Sequence, residues 1–364
     1  MYKDRALLTY YTLTPLHMGS GSSVHYVDLP IQRERHTSFP IMAGSGIKGV
    51  FRNLAERECN KKCNEKKWSK EDVDKIFGHE EASEGASMVA FTDAKILLYP
   101  VRSLRGTFAW ITCPLVLKRF KEELESLGEI KNTSWEVPNL DPNKDNKALV
   151  SNNSSLIIDD KSIGLEEFVL ECEKSENVDK IAEVIKNYLP QTSTVNELPL
   201  RLVVVDDNIF TYFVNYAVEI RTRIRIDQGT GTVERGALFT VEFVPSEAIF
   251  YSFVFFIERK EGDSSDARTK FEKLFSSEDK DKANKNKVEN KISAGTGEDC
   301  VELYIPHSSD KTKLPPEQAK IILAFTSHIV QIKRGKKFIY HIDGVVFTSH
   351  IVQIKPNTYH LNLI

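Results

Sequence analysis

The sequence predicts an α+β chain, and three observations carry that prediction. Tyr216–Asp227 (YAVEIRTRIRID) alternates with period two: Ile220, Thr222, Ile224 and Ile226 fall on one face, and Arg221, Arg223 and Arg225 on the other. A turn signal, Gln228–Thr232, and a return run, Ala237–Pro245, complete a long hairpin with a basic face. Runs rich in aromatic and β-branched residues recur elsewhere, and segments with helical spacing lie between them.

In chain order, Ala6–Thr14 (ALLTYYTLT) reads as a first strand, followed by a glycine loop. From Gly46 to about Lys67 the spacing of Ile47, Val50, Phe51 and Leu54 predicts a helix. Met88–Leu98 reads as a strand or strand pair, Phe108–Leu117 as a buried strand and Lys118–Leu127 as a short amphipathic helix. Residues 128–200 are more polar and irregular, with a helix at Asn177–Leu189, and suit an inserted lid. Arg201–Val205 resumes the core, and Ile249–Ile257 (IFYSFVFFI) is a wholly apolar strand. Residues 260–300 are charged and poor in aromatics, the composition of a flexible insertion.

The 364 residues suit about two domains, or one large domain with insertions, and 41% hydrophobic content supplies a core. The net charge of −3 means that any site for a polyanion has to be local. Five scattered cysteines fit a reducing cytoplasm. Cys59 and Cys63 make half of a zinc-ligand set that nothing nearby completes. The start, MYKDRALLTY, lacks the apolar stretch of a signal peptide. No apolar run reaches the roughly 18 residues of a membrane span, so no membrane partner is expected. FTSHIVQIK occurs twice, at Phe325–Lys333 and Phe347–Lys355, which is too few copies for a solenoid.

The chemistry concentrates between Pro15 and Asn53. Two glycine turns, Gly19-Ser20-Gly21 and Gly44-Ser45-Gly46, bracket Asp28 in VDLPIQRER. Gly44-Ser45-Gly46-Ile47-Lys48-Gly49 formally matches a dinucleotide fingerprint, but Pro40 interrupts the run before it and no βαβ unit follows. The backbone N–H groups of Gly44, Ser45 and Gly46, with Lys48 and Arg52, suit the phosphates of an RNA backbone instead, against the plainer reading of a tight turn and a solvated helix face. His17 and Asp28 are the acid–base candidates. RNA is cut by attack of its own 2′-hydroxyl on the adjacent phosphate. Imidazole moves protons near neutrality, and a carboxylate orients the hydroxyl or holds Mg²⁺. A structural histidine is the competing reading of His17. Arg221, Arg223 and Arg225 suit phosphates, or else form a solvated sheet face.

The run from Leu16 to Asn53 resembles the N-terminal motif of the RAMP superfamily, and within it the backbone subunits of the Cmr complex, the type III-B CRISPR effector. The likeness recurs at Phe91–Ala94, Tyr99–Ser103, Phe108–Leu117 and Thr222–Phe239, in order. It implies a ferredoxin-like (RRM-related) palm with a β-hairpin thumb and inserted helical and loop lid regions. The palm would comprise residues 1–127 and 201–364, the thumb about 218–244 and the lid 128–200. It implies copies of the chain stacked with other Cmr-type subunits along a CRISPR guide RNA, and cleavage of target RNA dependent on Mg²⁺ or another divalent metal. The family's key aspartate falls on Asp28, its supporting histidine on His17 and its guide-binding lysine on Lys48. Two departures stand out. Where the family reads E-E-Y-L-P after the thumb, this chain reads Val241-Glu242-Phe243-Val244-Pro245, and alternation turns Glu242 away from the face of Val241 and Phe243. Where it has a glycine-rich loop near the C-terminus, this chain has Lys333-Arg334-Gly335-Lys336-Lys337. A non-catalytic RNA-binding scaffold of the same fold is therefore the alternative to an endoribonuclease.

Overall fold

The computed structural model describes residues 2–23, 26–59, 68–79, 85–126, 135–140, 146–190, 192–226, 232–258, 263–272, 274 and 300–303. Both copies of FTSHIVQIK, the basic stretch at Lys333–Lys337, Cys63 and the hairpin turn at 227–231 lie outside these residues.

The first strand, β1 (Tyr2–Tyr11), is buried from Ala6 to Tyr11 on both faces, as a central strand must be. A short β2 (Ile41–Met42) leads into helix α1 (Gly44–Cys59), which buries Ile47, Val50, Phe51 and Ala55 on one face. Helix α2 (Lys70–Phe77) was not expected from periodicity, yet a capping box specifies its start. Ser69 accepts from the Asp72 N–H, and Asp72 accepts from the Ser69 N–H. Strands β3 (Val89–Phe91) and β4 (Ala94–Arg102) form the expected pair of runs.

The run expected to be one strand from Phe108 to Leu117 divides. Strand β5 (Phe108–Thr112) stops and helix α3 (Pro114–Ser126) begins. Proline fixes the backbone for a first helical turn and lacks the N–H a strand needs there, so it overrides the apolar run.

The segment expected as a lid contributes to the main sheet. It holds β6 (Lys147–Val150), β7 (Ser162–Leu165), β8 (Phe168–Lys174), α4 (Glu176–Asn187), α5 (Ser193–Asn196) and α6 (Leu198–Arg201). The following strand, β9 (Leu202–Val205), pairs with both β5 and β6, which carries the sheet outward. Helix α7 (Asp207–Tyr216) is capped by the Asp206 carboxylate on the Asn208 N–H.

Strands β10 (Glu219–Ile226) and β11 (Val233–Phe243) form a separate two-stranded sheet. The chain returns through β12 (Ile249–Ile257), α8 (Asp263–Glu272) and β13 (Cys300–Leu303). Helix α8 falls in the stretch expected to be flexible, but Ala267 and Phe271 are buried in the core and Arg268 pairs with Asp4 at 2.7 Å. The main sheet runs β13-β1-β12-β4-β5-β9-β6-β8-β7, with β2 on β4 and β3 on β12. The β1–β12 and β12–β4 pairings are antiparallel, and β13 runs parallel to β1.

Two positions test this packing. A Cβ on Gly44 would stand 2.5 Å from the Phe91 carbonyl oxygen and 2.9 Å from that of Thr92. These are backbone atoms and cannot swing away, so Gly44→Ala is expected to destabilise the protein by about 1–3 kcal/mol, read as a lower denaturant midpoint. Glu247, between β11 and β12, holds a left-handed φ of 73° and a buried Oε2 with no hydrogen-bond partner. Burial pushes its carboxyl up to about 7. The folded protein therefore keeps a proton that the unfolded chain loses, and stability falls as pH rises from the ordinary carboxylate range toward 7. Relative to the parent, Glu247→Gln is expected to gain stability across that window and level off above it, measured by denaturation at successive pH values.

Candidate nucleic-acid interface

The loop between β1 and β2 is stitched to the outer edge of β11. Leu16 bridges Val244 in antiparallel fashion, and Leu29 bridges Val241 in parallel. Four backbone bonds do the stitching: Leu16 N–H to Val244 O, Val244 N–H to Leu16 O, Leu29 N–H to Thr240 O and Glu242 N–H to Leu29 O, at 2.8–3.0 Å. Leu16, Met18, Ile31 and Phe39 anchor the loop in the core. Polar loop backbone thus replaces a missing neighbour strand.

Asp28 sits on this seam with its side chain exposed. Its Oδ2 accepts from the Thr240 N–H at 2.7 Å and from the Thr240 hydroxyl at 2.9 Å. The same hydroxyl oxygen accepts from the Asp28 N–H at 3.0 Å. Oδ1 takes no part in these bonds. The Thr240 bonds, backbone before side chain, hold the Asp28 carboxyl below its ordinary value. Asp28 is therefore an ionised oxygen acceptor at neutral pH and a weak base. It suits orienting a hydroxyl or ligating a cation better than removing a proton.

His17 is only 4% exposed. Its Nδ1 lies 2.7 Å from the Glu242 carbonyl oxygen, which has no proton to give, so Nδ1 carries the hydrogen and donates. Its ring centroid is 5.5 Å from that of Phe243. Burial first, and the positive charge of Arg223 further down the order, lower its pKa. The ring is buried and its bond to the Glu242 carbonyl braces β11.

Glu242 is 7% exposed and fully engaged: Oε1 accepts from Arg33 Nη2 at 2.6 Å and Oε2 from the Ile31 N–H at 2.9 Å. Arg33 also donates to the carbonyls of Ser38 and Val214. This pair ties the loop, β11 and α7 together. Val241 and Phe243, at the altered positions, are 3% and 1% exposed and face away from Glu242.

The hairpin alternates as expected. Arg221 and Arg223 share a face with Phe243, their guanidinium carbons 5.2 and 5.6 Å from its ring centroid. The other face presents exposed Ile220, Ile224 and Leu238. Arg225 lies on β10.

The start of α1 is partly committed to structure. The Gly44 N–H donates to Asp93 Oδ1 at 2.8 Å, and Gly44 is a glycine because β3 passes so close. Ser45 is exposed, and Gly46 lies beside it in the first turn. Lys48 is half-buried, donates to Ser87 Oγ at 2.8 Å and has its pKa lowered by burial and then by Arg52. Arg52 is occupied by Glu56, the Gly78 carbonyl and Asp74, a clamp between α1 and α2. Glu56 is one turn on in the same helix, but Gly78 and Asp74 lie 26 and 22 residues along the chain, and spacing within one helix does not reveal them.

No cluster of three or more His, Cys, Asp or Glu side chains suited to a metal occurs among the described residues. A Mg²⁺ ion held by one carboxylate completes its coordination with water and substrate phosphates, and the spare Oδ1 of Asp28 fits that mode. No helix among the described residues is long and apolar enough to cross a membrane.

An exposed ionised carboxylate thus lies at the base of a hairpin that carries arginines, within an α+β arrangement. Residues 9–292 match the RAMP superfamily, and the chain belongs to that family. It is 39% identical over 252 residues to the CRISPR system Cmr endoribonuclease Cmr4 of Pyrococcus furiosus, covering 68% of this chain and 80% of that one. It is similar to the crystal structure of oligomeric Cmr4 from Pyrococcus furiosus, with TM-score 0.56 and 29% identity, covering 74% of this chain and 88% of that chain. It is also similar to a chain in the cryo-EM structure of the type III-B Cmr-beta complex bound to cognate target RNA, with TM-score 0.54 and 25% identity over 72% of this chain and 87% of that chain.

The packing around His17 makes a measurable claim. Its imidazole is expected to titrate below the ordinary 6.5, followed by NMR of the ring protons. Arg223→Gln removes a positive charge that opposes protonation, and is expected to move the midpoint upward.

Proposed function

We propose that this chain is a backbone subunit of a cytoplasmic, CRISPR RNA-guided type III-B effector. In this reading it binds guide RNA and cleaves complementary target RNA at regular intervals. The names of its relatives support the assignment: an endoribonuclease, an oligomer, and a complex bound to cognate target RNA. Further copies of the chain and other Cmr-type subunits are its partners.

The β1–α1–β4 and β12–α8–β13 units interleave, with β1 and β12 side by side, and this supports a ferredoxin-like palm over 1–127 and 201–364. Such units keep their two strands parallel. β13 runs parallel to β1, which is antiparallel to β12, so the sheet departs from the plan at that edge. The hairpin β10–β11 is the thumb.

The observation that carries the catalytic reading is the exposed Asp28 carboxylate, ionised and fixed by two donors on Oδ2. In the reaction a target 2′-hydroxyl attacks the adjacent phosphorus. The 2′-O–P bond forms, the P–O5′ bond breaks, the hydroxyl proton passes to solvent and the leaving 5′-oxygen takes a proton. Asp28 Oδ1 accepts from the 2′-hydroxyl and holds it in line with the leaving oxygen. Alternatively, Asp28 would hold a Mg²⁺ through Oδ1, and the ion would supply charge stabilisation at the phosphate. Arg221, Arg223 and Arg225 place positive charge along the thumb for the RNA backbone. His17 keeps β11 in place. Lys48, with Ser45 and Gly46 at the start of α1, holds the guide, while Arg52 maintains the α1–α2 frame.

Burial of apolar Val241 and Phe243 favours a second reading, a scaffold that assembles on guide RNA without cutting. Assembled complexes given complementary RNA with and without Mg²⁺ separate the two. In the same assay Asp28→Asn is expected to lower cleavage by about 100-fold or more while guide loading persists. Undiminished cutting by this variant would sink the catalytic assignment.

A further inference from the structure

Thr240 makes three of the bonds that fix Asp28, and a fourth to its neighbour. Its N–H and its hydroxyl both donate to Asp28 Oδ2, its hydroxyl oxygen accepts from the Asp28 N–H, and its carbonyl accepts from the Leu29 N–H. One hydroxyl thus spends its single proton on the carboxylate and a lone pair on the same residue's backbone, which closes a small ring around Asp28. Thr240 belongs to β11 and pairs across the thumb with Thr222. Around it the loop is independently secured at Leu16–Val244, at Gly19–Ile31 and at Arg33–Glu242. The backbone course of the loop therefore does not depend on the hydroxyl. The direction in which Oδ1 points does.

We propose that Thr240 is a positioning residue: its hydroxyl locks the Asp28 side chain to the thumb strand, so that carboxylate and thumb move as one body when the thumb meets RNA. Without the hydroxyl, Oδ2 keeps only the backbone N–H, and the Asp28 N–H loses its acceptor. The carboxylate can then turn about its side-chain torsion while the loop stays in place. In-line attack tolerates little misplacement, so the loss falls on the chemical step and spares target binding. The proposal rests on the reading that Asp28 acts on target RNA.

The test uses the assembled, guide-loaded complex carrying Thr240→Val, Thr240→Ser or Asp28→Asn, each beside the parent. Valine keeps the β-branched shape and removes the hydroxyl; serine keeps the hydroxyl and removes the methyl. Target affinity, KM and single-turnover cleavage rate are measured, together with amide hydrogen exchange of the segment Asp28–Ile31. Thr240→Val is expected to cut about tenfold more slowly, with KM and affinity within about twofold of the parent and faster exchange in that segment. Thr240→Ser is expected to restore both rate and protection. Parental cutting by Thr240→Val beside a dead Asp28→Asn overturns the positioning role and leaves the catalytic reading intact. Failure of Thr240→Val to assemble, or Thr240→Ser as slow as Thr240→Val, overturns it too, because the hydroxyl is then not what matters. Undiminished cutting by Asp28→Asn overturns the catalytic reading itself.

Discussion

Everything at this site depends on the double use of one strand segment, Thr240–Val244. One edge pairs with β10 as far as Phe243, and the other bonds to the loop that carries His17 and Asp28. A strand with a bare edge invites unwanted pairing and leaves polar groups unsatisfied. Here the loop covers the edge, and in doing so it gains a fixed course through a stretch rich in glycine and proline. The hairpin and the loop consequently form one structural unit, though neither belongs to the main sheet.

Charge reinforces this seam from beneath. A buried ion pair gains little net stability over apolar packing, but breaking one is costly, and its geometry is directional. Glu242 and Arg33 add specificity rather than bulk. Together they bind Ile31, Ser38 and Val214, so a shift of the loop by one residue would strand a buried charge. The order of residues on β11 follows from this. Glu242 faces inward to the loop, whereas Phe243 faces His17 and two arginines.

Local patterns were legible in the sequence where one interaction dominates. Period-two alternation revealed β10 and its arginine face, and the apolar run revealed β12, which burial decides. Asp28 stood out between its two glycine turns, and the family motif gave it a role. What escaped was decided by partners far along the chain or by single capping residues. Pro114 converted an apolar run into a helix start, and Ser69 with Asp72 opened a helix that periodicity missed. The polar composition of 128–200 concealed four-residue strands that are held by pairing across the sheet, β6 with β8 and β9 and β7 with β8. Lys48 and Arg52 looked alike as helix cations. Only the fold shows that Arg52 is consumed by α2 while Lys48 keeps one bond, to Ser87.

The departures at Val241 and Phe243 gain meaning from the same geometry. Phe243 retains an aromatic ring, and that ring packs on His17 and takes the faces of two guanidinium groups, so the structural share of a tyrosine survives without its hydroxyl. Val241 retains β-strand packing and gives up a carboxylate. Both changes remove polar atoms from the arginine face of the thumb and neither touches the Thr240 face. With no second acid among the described residues bonded to this seam other than the buried Glu242, the proposed chemistry would rest on Asp28. A lone carboxylate that is ionised, half-saturated by donors and exposed on its other oxygen acts by orienting and by ligation. In the proposed reaction its effectiveness would follow how firmly it is held, and so the strand beneath it.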